Sequence, residues 1–358
     1  NNNITVITCF PNFPKGKLFE GFKNKLYKVK KFRNIKIIRV WTFIAPNSGF
    51  FLRILDHISF AVSSTIASFF VNKPDYIFAT SPQFFTMIGG YFVSIFKNVP
   101  LILEIRDLWP DSLLSVGVIK KNLIFKFLKK IEYHLYKKAF KIIVVTKSTF
   151  KILENNLIKN KISVIYNGVN LEKFKPLIKN KDLVKKYNLT DYFCIGYIGT
   201  IGLAHEIEVL ISAAKNLLER NYKIKLIIIG EGARKEFIKK KIKEYQLTNV
   251  ILLNSVSNNE IVKYWSILDC SITHLKNDML FRTVIPSKIF ESMAMQIPII
   301  HGVLGESSDL INTLKIGECF ESGDYKSLNN IIIKFYNDRS LLQVYKNNCL
   351  KVSNNFDR

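Results

Sequence analysis

The stretch "LFRTVIPSKIFESMA" at 280–294 gathers groups that can bind charge and hydroxyls. Pro286 can set the backbone for a helix start, and Ser287 can cap that helix. Arg282 and Lys288 would then flank a positive helix end, which suits a diphosphate. Glu291, one turn into the helix, can accept two hydrogen bonds from vicinal hydroxyls. The alternative is that Lys288 and Glu291 form only a surface ion pair.

Two glycine-containing turns lie in the same half of the sequence. They read "GTIGLAH" at 199–205 and "GEGARKE" at 230–236, and each follows a strand-like run and precedes a helical pattern. Exposed backbone N–H groups at such turns favour phosphate. The first turn is not the G-x-G-x-x-G fingerprint of dinucleotide sites. The turns therefore indicate a phosphate contact without identifying the ligand.

Short strand-like runs rich in Ile and Val alternate with helical patterns along most of the chain. Runs that are apolar on both faces are typical of parallel strands covered by helices on each side. Two successive series predict an α/β protein of two doubly wound domains, 1–172 and 173–358. The first domain is expected to lack its opening strand and glycine-rich loop. The predicted strands are 4–9, 35–40, 75–79, 101–105, 141–146, 162–166, 193–199, 224–230, 249–253, 268–273 and 297–301.

Positive charge is concentrated in the first half of the chain. Residues 1–180 carry 29 basic and 9 acidic side chains, a net +20, whereas residues 181–358 carry 24 and 19, a net +5. The segment 15–39 and the helix 123–138 contribute much of this excess. The basic surface predicts contact with an anionic membrane leaflet. The alternative for the helix is an ordinary core element with a solvated lysine face, whose apolar face comprises Ile124, Leu128, Ile131 and Leu135.

Other classes of protein receive little support. Five scattered cysteines without a C-x-x-C pair argue against a disulfide framework or structural zinc and fit a reducing cytoplasm. No signal peptide is visible, and no apolar run is long enough to predict a spanning helix. The runs 58–70 and 84–96 come closest and predict buried helices or helices lying on a membrane. No aromatic RNA motif indicates a nucleic-acid partner.

Four segments together resemble the family 4 glycosyltransferases. They are "VIYNGVNLEKFKP" (164–176), "IGYIGTIGLAHEIEVLISAAKNL" (195–217), "LIIIGEGARKE" (226–236) and "TVIPSKIFESMAMQIPII" (283–300). The segments "FATSPQFF" (78–85) and "LILEIRDLWPDSLLSVG" (101–117) are similar to the subgroup that includes bacterial fucosamine transferases. The resemblance implies a GT-B fold, in which two Rossmann-like domains face each other across a cleft. It also implies transfer with retention of anomeric configuration and without a bound metal or cofactor.

The resemblance also implies roles for particular residues. Glu291 matches the glutamate that binds the donor ribose, and Lys288 with the backbone of 282–285 would lie near the diphosphate. Arg106 and Asp107 stand where the acceptor-side strand commonly ends in a histidine. Arg106, Asp107, Arg282 and Lys288 are therefore the expected catalytic residues. The expected nucleotide-sugar contacts are Gly199, Thr200, His205, Gly230, Val256, Thr283, Val284, Ile285 and Glu291.

Several positions depart from the family pattern. Thr200 and His205 occupy places where many members carry an arginine and a lysine that neutralise the diphosphate. Thr283 replaces the family's earlier glutamate. Another cation must take up the missing charge, and Arg282 is the nearest candidate.

The predicted function is transfer of a sugar from a UDP-sugar to a lipid-diphosphate-linked saccharide. The sugar would be an N-acetylated amino or deoxyamino sugar, and the pathway O-antigen or capsule assembly. The protein would lie on the inner face of the bacterial cytoplasmic membrane. Alternatives are a nucleotide-sugar 2-epimerase on the same fold, an inactive relative, or a non-enzymatic basic protein that binds membrane or nucleic acid.

Overall fold

The computed structural model describes residues 2–12, 16–45, 50–155 and 159–358. Lys15, the first residue of the basic segment 15–39, lies outside the described residues. The chain folds into two compact units, residues 1–165 and residues 166–358. Both are α/β units in which helices flank sheets that are mainly parallel, as the sequence predicts.

The described strands of the first unit form two sheets. The three-stranded sheet has the order β1-β3-β2, with β2 antiparallel to β3, and the four-stranded parallel sheet has the order β4-β5-β6-β7. The strands are β1 (Ile4–Cys9), β2 (Tyr27–Phe32), β3 (Ile35–Val40), β4 (Ile77–Thr80), β5 (Leu101–Ile105), β6 (Lys141–Val144) and β7 (Ile162–Val164).

The helices of the first unit pack side by side on these sheets. They are α1 (Phe50–Phe69), α2 (Phe84–Lys97), α3 (Asp111–Ser115), α4 (Leu123–Lys138) and α5 (Lys147–Glu154). Helix α1 packs against α2, and α2 packs against α4. A Cβ atom at Gly89 of α2 would lie 2.4 Å from Oγ1 of Thr65 on α1, so glycine allows these helices to approach closely.

The buried face of α4 differs from the predicted one. Leu135 is buried as expected, but Ile124 is exposed, and Glu132 is almost fully buried. Glu132 accepts a hydrogen bond of 2.7 Å from the Tyr136 hydroxyl and forms an ion pair with Lys129, which also binds Asp111 at 2.8 Å. These partners compensate the buried carboxylate. Glu132 therefore belongs to the buried face of α4, whereas Leu123 and Ile124 at the start of the helix face solvent.

The second unit contains one six-stranded parallel sheet with the order β10-β9-β8-β11-β12-β13. Its strands are β8 (Phe193–Ile198), β9 (Ile224–Ile229), β10 (Val250–Leu253), β11 (Cys270–His274), β12 (Ile299–Gly302) and β13 (Gly317–Cys319). Its helices are α6 (Lys181–Lys186), α7 (Glu208–Glu219), α8 (Lys235–Glu244), α9 (Ile261–Ser266), α10 (Lys288–Ala294), α11 (Glu306–Leu314), α12 (Tyr325–Asn337) and α13 (Arg339–Ser353). Apolar clusters cover both faces of the sheet.

The predicted strands are confirmed with boundary shifts of a few residues. Two strands were missed. The residues of β2 are exposed throughout and include three lysines, and β13 has only three residues, so neither carries an apolar pattern. In the described part of the chain, every helix is too short or too polar to span a membrane.

Candidate functional site

The sheet of the second unit has a topological switch point between β8 and β11. From β8 the chain first adds β9 and β10 on one side of that strand. It then adds β11, β12 and β13 on the other side. In open parallel sheets, ligands bind beyond the carboxyl ends of the strands at such a point. The predicted residues of this unit follow β8, β9, β10 and β11, so the topology brings them to one edge of the sheet.

Gly199 and Gly230 hold the turns after β8 and β9 against each other. A Cβ atom at Gly230 would lie 1.8 Å from the carbonyl oxygen of Gly199. The N–H of Ile201 donates to the carbonyl of Glu231 at 2.9 Å, which joins the same two turns. Glycine is therefore required here by close backbone packing. The structure gives these residues a role in shaping the turns, and their contact with a ligand stays a prediction.

Thr200 and His205 lie in the turn after β8, and neither provides a positive charge there. Thr200 is exposed, and its carbonyl accepts a hydrogen bond of 2.7 Å from the Tyr197 hydroxyl. Burial and, to a smaller extent, the nearby His274 lower the pKa of His205 to about 4. His205 is therefore neutral at physiological pH. The diphosphate charge must be met elsewhere.

His274, at the end of β11, holds the turn after β8 in place through a hydrogen bond to His205. Its Nε2 accepts a hydrogen bond of 3.2 Å from the Gly323 N–H, so Nδ1 carries the proton. Nδ1 donates to the His205 carbonyl at 2.9 Å. The ring also stacks on Phe320 with a centroid distance of 5.5 Å. This neutral histidine joins the β8 turn to the chain that follows β13.

Arg282 lies in a short 3₁₀ turn, Phe281–Thr283, after β11. Its Nη2 donates to the Asn277 side chain at 3.3 Å, and its Nε is buried without a hydrogen-bond partner among the described residues. A buried unsatisfied donor of this kind calls for an explanation, such as an anion that it can bind. The side chain therefore retains hydrogen-bonding capacity, and its contact with a diphosphate stays a prediction.

Thr283, Val284 and Ile285 use their groups locally. The N–H groups of Thr283 and Val284 donate to the carbonyls of Leu280 and Phe281, at 3.0 and 3.2 Å. The Thr283 hydroxyl donates to Leu280 as well, at 2.7 Å, and the Ile285 side chain is buried in the core. We expected this backbone to lie open to the diphosphate, but two of its amides are engaged in the turn.

Lys288 and Glu291 form a two-point ion pair at the start of α10. The Lys288 ammonium lies 2.9 and 3.0 Å from the two Glu291 oxygens. Both side chains are partly exposed. The proposed capping by Ser287 is wrong, because its side chain accepts no capping hydrogen bond. The structure contains the ion pair of the alternative interpretation, and a ligand contact by either residue remains a prediction.

The start of α11 belongs to this region and was missed in the sequence. Gly305, with φ +90°, precedes the helix, and a Cβ atom there would lie 2.2 Å from the Arg282 carbonyl. The N-terminal end of α11 therefore lies beside the turn that carries Arg282. Helix N-termini favour anions. The signal "HGVLGES" at 301–307, a glycine-containing turn directly after a buried strand, is of the same kind as the two turns recognised earlier.

A buried histidine fixes the first turn of α11. His301 on β12 lies 2.5 Å from the Thr273 hydroxyl through Nδ1 and 2.9 Å from the Ser307 hydroxyl through Nε2. His301 and Ser307 are fully buried. Burial lowers the pKa of His301 to about 3, so it links β11, β12 and α11 as a neutral group.

Val256 follows β10 at the far side of the same edge. It is partly buried and packs against the core. The neighbouring Lys235 bridges Glu231 and Asn254 at 3.0 and 2.5 Å, which connects the loops after β9 and β10. These loops are thus held in place, and Val256 remains a predicted contact of the nucleotide.

Arg106 and Asp107 follow β5 at the carboxyl edge of the four-stranded sheet in the first unit. Arg106 is exposed, whereas Asp107 is largely buried. The Ser81 hydroxyl, from the loop after β4, donates to the Asp107 carbonyl at 2.9 Å. Burial raises the pKa of Asp107, and the Arg106 charge opposes part of that rise. The two residues are therefore positioned at the end of the strand where a ligand of this unit would bind.

Acidification is expected to reduce activity by protonating Asp107, whose pKa is raised. If ionised Asp107 orients the acceptor, its contribution exists above this raised pKa and disappears as pH falls through it. Rates measured against pH should show this acidic limb, and Asp107→Asn should remove it while lowering kcat about tenfold. An unchanged limb in Asp107→Asn would exclude Asp107 from the reaction.

No metal cluster is found where the structure describes the chain: no three His, Cys, Asp or Glu side chains come together as metal ligands.

Two family models together match most of the chain. Residues 3–173 match the glycosyltransferase family 4 model, and residues 178–352 match the model of glycosyl transferases group 1. Together with the fold, these matches define the chain as a GT-B glycosyltransferase similar to family 4. Both domains match families of glycosyltransferases.

A named relative supports the same class, and solved structures support the fold. The capsular polysaccharide biosynthesis glycosyltransferase CapM of Staphylococcus aureus is 30% identical over 231 residues, which cover 61% of this chain and 58% of CapM. The sucrose-phosphate synthase of Thermosynechococcus elongatus aligns with TM-score 0.73 and 16% identity, over 99% of this chain and 85% of that one. HepE of Anabaena in complex with UDP-glucose aligns with TM-score 0.69 and 16% identity, over 86% and 80%. The chain spans about half to two thirds of the length of the curated relatives it matches.

Proposed function

We propose that this protein is a retaining glycosyltransferase that moves a sugar from a UDP-sugar to a lipid-linked saccharide in cell-surface polysaccharide synthesis. The observation that carries the proposal is the position of Arg282 beside the N-terminal end of α11, at the edge where the sheet has its switch point. The pairing of a cation with a helix N-terminus suits a diphosphate.

The chemistry follows from the charge that develops as the sugar leaves. Negative charge builds on the β-phosphate while the bond to the anomeric carbon stretches. Arg282, Lys288 and the first turn of α11 stabilise that charge, which is usually the largest single catalytic contribution. The leaving diphosphate takes the acceptor's proton on the same face of the sugar, and this accounts for retention without a protein nucleophile.

Glu291 binds the donor ribose in this proposal. It must then exchange at least part of its ion pair with Lys288 for hydrogen bonds from the ribose hydroxyls. Lys288 becomes available to the diphosphate through the same exchange. Binding of the ribose by Glu291 therefore releases Lys288 for the diphosphate, and both residues can make these contacts from the start of α10.

The acceptor side rests on the first unit. Arg106 is exposed at the end of β5 and can bind the diphosphate of a lipid-linked saccharide. The name of CapM, a capsular polysaccharide enzyme, supports a polysaccharide pathway for this chain. An N-acetylated amino or deoxyamino sugar and the inner face of the cytoplasmic membrane complete the proposal, and they rest on the fucosamine transferase resemblance and the basic first half.

The direct test is ligand-induced stabilisation. UDP is expected to raise the melting temperature, since a ligand at 100 times its Kd adds about 2.7 kcal/mol to the folded state. Glu291→Ala should weaken UDP binding about tenfold with nearly unchanged stability in the absence of UDP. No response to UDP, or equal affinity in Glu291→Ala, would remove this site from the proposal.

Incubation with UDP-, GDP- and dTDP-sugars and lipid-diphosphate acceptors then tests the reaction. Release of the nucleotide that depends on the acceptor supports transfer. Conversion of the donor without an acceptor would instead favour the epimerase.

A further inference from the structure

Helix α1 carries a continuous apolar face toward solvent. Leu55, Ile58, Val62, Ile66 and Phe69 recur at helical spacing and are 37–54% exposed. The residues between Leu55 and Phe69 span about 21 Å along the helix axis. Buried residues of α1, such as Ala61 and Ala67, are small. Helix α1 therefore buries small side chains and exposes larger apolar ones, the reverse of an ordinary surface helix.

Exposed apolar side chains of α2 extend this surface, and the neighbouring α4 carries others. The rings of Phe69 and Phe96 meet edge to face with centroids 5.5 Å apart, which joins the end of α1 to the end of α2. Helix α2 in turn packs against α4. The exposed apolar residues on these two helices are Phe92, Ile95, Phe96, Leu123, Ile124 and Phe127. Exposed apolar surface of this kind indicates an interaction site.

The exposed charges on these three helices are of one sign. Asp56, the only acid of α1, accepts a hydrogen bond of 2.8 Å from the Thr42 hydroxyl, and Glu132, the only acid of α4, is buried. Helix α2 contains no acid. The exposed ionic side chains of the three helices are therefore basic: Arg53, Lys126, Lys130, Lys137 and Lys138.

We propose that the outer face of α1, α2 and α4 is the surface by which the first unit inserts into an anionic lipid leaflet. Exposed apolar and basic side chains on the same helices suit a bilayer interface. The acyl boundary accepts the apolar side chains, and anionic headgroups attract the basic ones. Two copies of the chain would instead bring like charges together. The inference rests on the proposed function only for its membrane location, and it assigns that contact to named residues.

Vesicle sedimentation with the whole chain tests the proposal. The chain is expected to bind vesicles of phosphatidylcholine and phosphatidylglycerol more tightly than vesicles of phosphatidylcholine alone. Ile66→Glu should lower binding to the anionic vesicles about tenfold or more, because it buries a charge instead of an apolar group. Val344→Glu on α13 is the matched control, since Ile66 and Val344 are 54% and 53% exposed, and it should bind like the unmodified chain.

The other outcomes overturn the proposal. These are no binding to anionic vesicles, equal binding to both vesicle types, or unaltered binding by Ile66→Glu. A dimer in sedimentation velocity that Ile66→Glu dissociates, without vesicle binding, would assign the surface to a second copy. UDP-induced stabilisation measured on the same variants without vesicles reports the donor site separately. Its loss would contradict the proposed function, and its retention alongside failed vesicle binding would contradict only the membrane surface.

Discussion

Arg282→Ala is expected to lower kcat for sugar transfer about 100-fold, the range seen when one preorganised charge-stabilising group is removed from an active site. The effect should be larger on kcat than on UDP affinity, because the charge on the β-phosphate is greatest in the transition state. Rates at saturating donor and the Kd for UDP, measured on the same preparation, separate the two effects.

The structure gives the physical reason for this large effect. His205 is held neutral by burial, and Thr200 carries no charge, so the turn after β8 offers no cation to the diphosphate. Arg282 lies beside Gly305 and the start of α11, with its buried Nε left without a partner in the described part of the chain. The guanidinium is therefore the cation best placed to act with the helix N-terminus.

Arg282→Lys is the matched control. It keeps the charge but loses the planar pair of donors, so activity should recover only in part. Equal kcat in Arg282→Ala and the unmodified protein would show that the diphosphate is bound elsewhere. A fall in UDP affinity that accounts for the whole loss would show that Arg282 acts in ground-state binding alone.

How far the sequence predicts this molecule depends on the kind of interaction. Apolar runs such as Ile224–Ile229, in which Lys225 is the one polar residue, identify buried parallel strands, because burial on both faces leaves few polar positions. The exposed strand β2 has no such pattern and exists through its antiparallel pairing with β3. The pattern of apolar residues in a sequence indicates which strands are buried. It gives no signal for an exposed strand such as β2, which forms by pairing with its neighbour.

The site shows the same division. Spacing identified Arg282, Lys288 and Glu291 as one cluster, since they lie within ten residues of one another. It did not reveal that His301 ties Thr273 to Ser307, because those contacts join residues brought together only by the sheet. The burial of Glu132 on α4 was likewise hidden, since glutamate is usually exposed, and here Lys129 and Tyr136 compensate its burial.

Gly230→Ala is expected to destabilise the second unit by roughly 3 kcal/mol, at the upper end of the usual cost of overpacking. The methyl group would lie 1.8 Å from the Gly199 carbonyl oxygen, a backbone atom that cannot rotate away. The turns after β8 and β9 must then separate, which stretches the hydrogen bond between Ile201 and Glu231. The melting temperature should fall by roughly 10 °C, and UDP affinity should fall with it.

Gly202→Ala, in the turn after β8, provides the comparison. A Cβ atom there meets only side-chain atoms of Thr200 and His205, at 3.3 and 3.4 Å, and these can shift. Its stability should change by less than about 1 kcal/mol. Equal stability of both variants would show that the two turns are not held in contact. If Gly230→Ala lost stability but kept its UDP affinity, the packing of these turns would be structural and the nucleotide would be bound by the remaining loops at this edge of the sheet.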